Sequence, residues 1–327
     1  MNRSFPLNRR SLLLSAAALG LHPLAGAAGD EYPSRKPVRL IVPFSAGGSS
    51  DVVGRTIGDW MAKDLGQTVL IENKAGAAGA IGSDHVAKAE PDGYTLLLVD
   101  ATHTVNPVFT RHIPFDPAND FTAIGGIAKT PLFLVCRPDF PAKSVAEMVA
   151  YAHKHPGKLN IGIPGNGSIV FEMIRHLSKA RVTVVPYKGT APAMIDLVAG
   201  QIDLMVISIA SGASFVKNGQ VRMLATTAPA RHADYPDVPT FAEGGLPGVE
   251  YEQWFGVLGP AGLPAPVAAR ISRSISYALA QPAMQERLKA LALDPYEADA
   301  ETFSRRVTGD ARKWKQLAKD AKIKPVG

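Results

Sequence analysis

The stretch Val38 to Arg55, VRLIVPFSAGGSSDVVGR, constrains this chain most. An apolar run (Val38, Leu40, Ile41, Val42) ends at Pro43. Adjacent glycines, Gly47 and Gly48, and a small polar pair, Ser49 and Ser50, come next, and Asp51 leads into an amphipathic run through Val52, Val53, Ile57, Trp60 and Met61. That order spells a buried strand, a tight turn and a helix N-terminus. Bare glycine amides ahead of a helix make an anion seat, because unpaired N–H groups point outward and the helix dipole favours negative charge. Leu159 to Met173, LNIGIPGNGSIVFEM, repeats the arrangement around Gly165 and Gly167, with Ser168 after them. One such turn is ordinary in any α/β chain. Two of them, far apart in the sequence, point to two α/β units facing each other across a cleft.

The rest of the chain supports an α/β reading. Strand-like runs fall at 38–43, 68–73, 94–99, 122–128, 131–136, 159–163, 181–186, 202–207, 221–226 and 253–258. Helical runs fall near 51–65, 79–89, 144–154, 168–179, 190–199, 264–280, 282–291 and 299–319. The alternation argues a parallel-rich sheet with helices on its faces. Ser144-Val145-Ala146-Glu147 is a capping box. The last three helices have no strand between them and are expected to return and brace the first unit. The length left after a leader exceeds the ~250 residues at which single cores stop growing, so two domains are expected.

The N-terminus reads as a targeting segment. Arg9-Arg10 precedes an apolar stretch from Leu12 to Leu24 and the small residues Ala25-Gly26-Ala27-Ala28. This is a basic region, a short apolar region and an A-x-A site, with a resemblance to a twin-arginine signal. The apolar stretch falls short of the ~20 residues a spanning helix needs. A signal peptide over residues 1–27 and an exported, soluble, periplasmic product are therefore expected. Removing residues 1–27 takes away Arg3, Arg9 and Arg10 and no acid, lowering the formal charge from +6 to +3. No Lys/Arg cluster with interleaved aromatics remains, so nucleic acid is excluded as a partner. The single cysteine, Cys136, lies in an apolar run and reads as core.

Several chemistries lack their signatures. There is no GxxxxGK[ST], no GxSxG and no HExxH, and Gly76 to Gly82 has GxxGxxG spacing rather than GxGxxG. His153 and His155, two apart on a predicted helix, do not share a face. No cofactor, metal or catalytic residue is expected.

Seven segments together resemble one family. They are RLIVPFSAGGSSD (Arg39 to Asp51), LGQTVLIENKAGAAGAIG (Leu65 to Gly82), AKAEPDGYTLL (Ala87 to Leu97), Asn106-Pro107, PYKGTAPAMIDLVAG (Pro186 to Gly200), DVPT (Asp237 to Thr240) and WFGVLGP (Trp254 to Pro260). Their order and spacing resemble the Bug receptors, the periplasmic solute-binding proteins of tripartite tricarboxylate transporters. The resemblance implies a two-lobed periplasmic binding protein of type II, closing like a flytrap. It implies lobe 1 over 28–128 plus 255–327 and lobe 2 over 129–254. It also implies a monomer that takes a small organic acid through loop amides, hydroxyls and waters and hands it to membrane transporter subunits. The first loop carries over as Phe44, Ser45, Ala46, Gly47, Gly48 and Asp51, and the second as Gly165, Asn166, Gly167 and Ser168. The loop after the third strand, with Thr102 and His103, is expected to reach the same cleft. Where family members place small hydroxyl residues before the second glycine turn, this chain has Ile163-Pro164. Where they place a histidine, it has Phe171. Both departures predict a more apolar second half of the pocket.

Alternatives stand beside these readings. Gly47 and Gly48 serve the turn or let a ligand approach; Asp51 and Ser168 cap their helices or meet the ligand; His103 is core or site. Lys188 is a solvated turn residue or a ligand partner, and Trp254 packs a hinge. Function divides among a transporter's solute receptor, a sensor presenting its loaded lobe to a receptor kinase, and a secreted hydrolase using Ser49 or Ser168 with His103.

Overall fold

The computed structural model describes residues 32–164, 167–187, 190–323 and 325, leaving aside the side chains of Pro164, Gly167 and Ser168. The expected signal segment, Gly165, Asn166 and Lys188 lie outside the described residues. The chain opens with β1 (Val38–Val42), α1 (Ser49–Leu65), β2 (Val69–Asn73), α2 (Ala80–Ala87), β3 (Thr95–Asp100), α3 (Thr102–Phe109) and β4 (Phe121–Cys136). It continues through α4 (Val145–Lys154), β5 (Asn160–Pro164), α5 (Gly167–Ser178), β6 (Thr183–Tyr187), α6 (Thr190–Val198), β7 (Leu204–Ser208), α7 (Ile209–Lys217) and β8 (Arg222–Thr226). It returns along β9 (Glu252–Pro260) and ends in α8 (Ala265–Leu279), α9 (Pro282–Ala290), β10 (Asp294–Pro295) and α10 (Ala300–Asp320).

The strands form one curled sheet in the order β2-β1-β3-β9-β4-β7-β5-β6, with β8 and β10 also pairing β4. β1 is parallel to β2 and β3, and its residues 38 and 40–42 are fully buried. Such a near-continuous apolar run is what a strand covered by helices on both faces requires. β4 belongs to both halves of the molecule. Phe121 to Pro131 pair with β9, and Leu132 to Cys136 pair with β7, so the handover falls between Pro131 and Leu132.

Lys129-Thr130-Pro131 looked like a break between two strands, at 122–128 and 131–136. The strand instead runs unbroken, because Lys129 and Thr130 pair with Trp254 and Gln253 of the crossing strand β9. The loop expected after the third strand is helix α3, whose internal Pro107 hid it. The Ser- and Gly-rich IASGASFVK, which falls outside the expected helical runs, is helix α7. The short β10 interrupts the last three helices. At α4 Ser144 Oγ accepts from Glu147 N at 3.2 Å as the capping box requires, while the return bond falls one residue earlier, Glu147 Oε2 accepting from Lys143 N at 2.8 Å rather than from Ser144 N.

The C-terminal helices do return to the first half. Arg270 of α8 pairs with Asp64 of α1. Arg306 of α10 bridges Glu252 Oε2 (3.1 Å) and Asp310 Oδ2 (2.9 Å), and Lys129 Nζ reaches the other oxygen of Glu252 at 2.9 Å. Trp254, fully buried, donates Nε1–H to Asp310 Oδ2 at 2.8 Å and meets Phe303 edge-on. The two crossing strands are thus fastened to α10 where the sheet changes halves. Cys136 is buried and unpaired, and burial pushes its thiol up to about 11.

Candidate functional site

A cleft of about 590 Å³ opens between the two halves of the sheet. One wall is built from the first glycine turn, the start of α1, and the junction of β3 with α3. Phe44, Gly47, Gly48, Ser49 and Ser50 come from the turn and helix start, and Asp100 and Thr102 from the junction. The facing wall takes Leu132 from β4, Val206, Ile207 and Ser208 from β7, and Thr190 at the start of α6. Thr130, Gln253 and Phe255 of the crossing strands form the floor, and Leu291 and Leu293 close one side.

The polar wall has free donors. The first helical hydrogen bond of α1 runs from Val52 N to the Gly48 carbonyl at 3.0 Å. The N–H groups of Ser49, Ser50 and Asp51 precede it and have no acceptor among the described residues. Gly48 is the residue ahead of the helix and makes no side-chain cap. Gly47 sits at φ 84°, a left-handed conformation that glycine adopts without strain. Its N–H donates to Asp51 Oδ2 at 2.9 Å.

Asp51 therefore neither caps from in front of the helix nor lines the cleft. It lies inside the first turn with its carboxylate held from behind, by Asn73 Nδ2 at 2.9 Å and by Arg55. The Arg55 bonds are the largest cause holding its carboxyl down at about 2, with the Gly47 and Asn73 bonds assisting against burial. Arg55 itself is half exposed and also donates to Asn73 Oδ1 at 3.2 Å. The Asp51 network thus fixes the glycine turn from the side away from the cleft.

Asp100 faces the cleft. Its Oδ2 accepts from Ser50 Oγ at 3.0 Å; its Oδ1 accepts from Thr102 N at 2.9 Å and from the Thr102 hydroxyl. Burial pushes this carboxyl up, against the Thr102 and Ser50 bonds that pull it down. It is the only ionisable group among the described residues of the cleft wall, and it is an acid.

His103 corrects an expectation. As the second residue of α3 it turns away from the cleft, stacking on Phe115 and meeting Phe121 edge-on. Its Nε2 contacts the Pro117 carbonyl at 3.2 Å, and burial holds the ring down at about 4, a neutral core histidine. Ser45 and Ala46 are exposed in the turn beside the cleft and are not part of its wall. Phe171 is also in the core, so the apolar side of the cleft comes from Leu132, Val206, Ile207, Phe255, Leu291 and Leu293 instead. Phe44, Gly47, Gly48 and Thr102 line the cleft wall. Gly167 and Ser168 open α5, and Gly165 and Asn166 fall outside the described residues. Sequence reasoning missed Ser50, Asp100, Thr130, Thr190, Ser208 and Gln253. Asp100 had a usable signal: it ends a parallel strand, and ligands of open α/β sheets gather at the carboxyl ends of strands.

Two α/β halves sharing crossing strands around such a cleft define a two-lobed periplasmic binding protein. A family model described as "Tripartite tricarboxylate transporter family receptor" matches residues 53–323, and the chain belongs to that family. BugT of Bordetella pertussis is 31% identical over 307 residues, spanning 92% of this chain and 94% of that protein. The solved structure of R. palustris Rpa4515 with adipate has a TM-score of 0.77 and 31% identity, covering 90% of this chain and all of that one. That of MatC from Rhodopseudomonas palustris with bound malate has a TM-score of 0.74 and 33% identity, covering 88% and 99%. The protein is a solute-binding receptor of the Bug type. Among the described residues no helix is long and apolar enough to cross a membrane, and no cluster of His, Cys, Asp or Glu could hold a metal ion.

Proposed function

We propose that this receptor is exported as a soluble protein, captures a small organic carboxylate between its lobes and delivers it to a tripartite membrane transporter. It performs no chemistry on the ligand. The observation that carries the reading is the set of unused amides at the start of α1, presented on a cleft wall with no Lys or Arg among its described residues. Charge-assisted hydrogen bonds are worth roughly 1.5–3 kcal/mol each, so the Ser49 and Ser50 amides with hydroxyls and bridging waters suffice to hold an acid. The relatives' adipate and malate belong to the same ligand class. The lobes divide as 28–128 with 255–327, and 129–254, a boundary that fits the handover at Pro131. On the sequence resemblance alone, Gly165, Asn166, Gly167 and Ser168 are proposed as further ligand contacts.

Calorimetry with malate, adipate, hexanoate, benzoate and citrate tests the proposal, alongside mass spectrometry of any small molecule released on denaturation. At least one acid is expected to bind and to shrink the radius of gyration in solution scattering, because a ligand touching both walls favours the closed state. Esters and amides of the acid are expected to pass through unhydrolysed. Absence of binding across the panel, with turnover of an ester, would replace the receptor reading by an enzymatic one.

A second expectation concerns the cation nearest the turn. Arg55 is engaged with Asp51 and Asn73 and is not on the cleft wall. Arg55→Met is expected to weaken binding less than about tenfold. A loss of several hundredfold in a folded variant would make a side-chain cation the anchor.

A further inference from the structure

Resting on the carboxylate reading above, we propose that Ser50 is a ligand donor whose direction is set by protonation of Asp100, so that one proton is taken up with each carboxylate bound. The argument starts from the two oxygens of Asp100. Oδ1 accepts from the Thr102 N–H and hydroxyl, and a backbone N–H cannot reverse, so this oxygen stays an acceptor. Oδ2 has one partner among the described residues, the Ser50 hydroxyl at 3.0 Å. A hydroxyl can reverse. While Asp100 is ionised, Ser50 spends its only proton on Oδ2 and offers the cleft nothing but lone pairs. Once a proton from solvent sits on Oδ2, that O–H donates to Ser50 Oγ, and the Ser50 hydroxyl is released to donate to a ligand carboxylate.

The position of the group makes the coupling strong. Ser50 belongs to the first turn of α1, so its own unused N–H and the Ser49 N–H lie beside the same hydroxyl. An acid seated on those amides stands one hydroxyl away from Asp100. Two like charges that close disfavour each other's ionisation, and the buried one yields first. Burial already pushes the Asp100 carboxyl upward.

Other ionisable groups near Asp100 do not compete for this role. His103 on α3 is held down at about 4 by burial, Asp51 on α1 is held ionised at about 2 by Arg55, and the buried Tyr251 phenol ahead of β9 is pushed well up. His85 on α2, held down by burial, contacts Arg39, which pairs level with Thr95 at the far end of β3; the Arg39 partner Glu72 lies on β2, level with Ile41, and is taken up by that ion pair.

The sign follows from linkage. The bound state holds the extra proton, so binding is strongest at low pH and weakens as pH rises through the bound-state value, by up to tenfold per unit. The test uses the full chain and the acids named above, over about pH 6 to 8.5. Calorimetry is run at each pH in two buffers of different ionisation heat, which counts protons. The wild type is expected to lose at least tenfold in affinity across the range, with about one proton taken up per ligand on the falling limb. Asp100→Asn keeps an acceptor for Thr102 and supplies a permanent donor to Ser50. It is expected to bind at pH 8.5 as the wild type does at pH 6, with less than a twofold change between. Ser50→Ala is expected to lose more affinity at pH 6 than at pH 8.5. Binding without proton uptake, or an Asp100→Asn variant that keeps the wild-type slope, overturns the proposal while leaving the receptor reading intact. Should Asp100→Asn fail to fold, the wild-type proton count and Ser50→Ala decide. A chain that binds none of the acids overturns both readings.

Discussion

Gly47→Val is expected to weaken carboxylate binding more than a hundredfold in a chain that still folds. Gly47 stands at φ 84°, where a β-branched residue is a steric outlier and the strain is about 1–2 kcal/mol. A Cβ built there meets nothing within 4 Å, so the fold has room for the side chain. The strain is relieved by moving the turn, and the turn carries the seat. Gly47 N is tied to Asp51 Oδ2 at 2.9 Å, and the amides of Ser49 and Ser50 follow directly. A hundredfold loss is about 2.7 kcal/mol, the worth of one or two charge-assisted amide bonds. Gly48 is the control. Its φ of −78° suits any residue, and its Cβ would rest 3.5 Å from the Ser45 carbonyl, an ordinary contact. Gly48→Ala is therefore expected to stay within tenfold of wild type. Calorimetry on variants with unchanged circular dichroism reads both. Wild-type affinity in Gly47→Val would move the anion seat off this turn.

The contrast between these two glycines shows what sequence could and could not give. The strand, glycine turn and helix of residues 38–65 are local features, and local chemistry dictates them. Propensity, the position of Pro43 and the amphipathic period converge on one answer, and the helix starts within two residues of its expected place. Which glycine is strained, and on which side of the turn Asp51 lies, depend on backbone angles that the letters do not encode. His103 is a sharper case. Its neighbour Thr102 lines the cleft and His103 does not, because one residue along a helix rotates a side chain by about a quarter turn or more. The far wall and floor were invisible for a different reason. Thr130, Leu132, Gln253 and Phe255 lie on strands whose alternation says only that they are buried. What brings them to a ligand is the pairing of β4 with β9, over a hundred residues away, and the handover to β7 at Pro131. Phe171 failed similarly: an apolar residue next to a loop is drawn to the nearest core, and here that core lies behind the cleft.

The crossing strands that carry the floor are also tightly packed, and Gly256→Val is expected to be among the most destabilising single changes outside the cleft. Gly256 is in β9, level with Gly126 of β4. A Cβ there would fall 2.2 Å from Phe303 Cζ and 2.7 Å from the Gly125 carbonyl oxygen. The first atom belongs to a ring with no exposure, wedged edge-on against Trp254. The second is backbone of the paired strand. Neither can move without disturbing the Trp254–Asp310 bond or the β4–β9 ladder that joins the halves. Overpacking a tight core costs typically 1–3 kcal/mol, and a branched residue against a carbonyl lies at or above the upper end. Gly256→Ala is expected to cost about 2 kcal/mol and Gly256→Val about 3 kcal/mol or more, read as a falling denaturant midpoint with unchanged slope. Phe303→Leu removes part of the obstructing ring. Made alone it is expected to destabilise through lost packing; combined with Gly256→Ala it is expected to cost less than the sum of the two, because the clash disappears with the ring. Strict additivity would mean that the backbone contact with Gly125, and not the ring, sets the limit on residue size at this crossing.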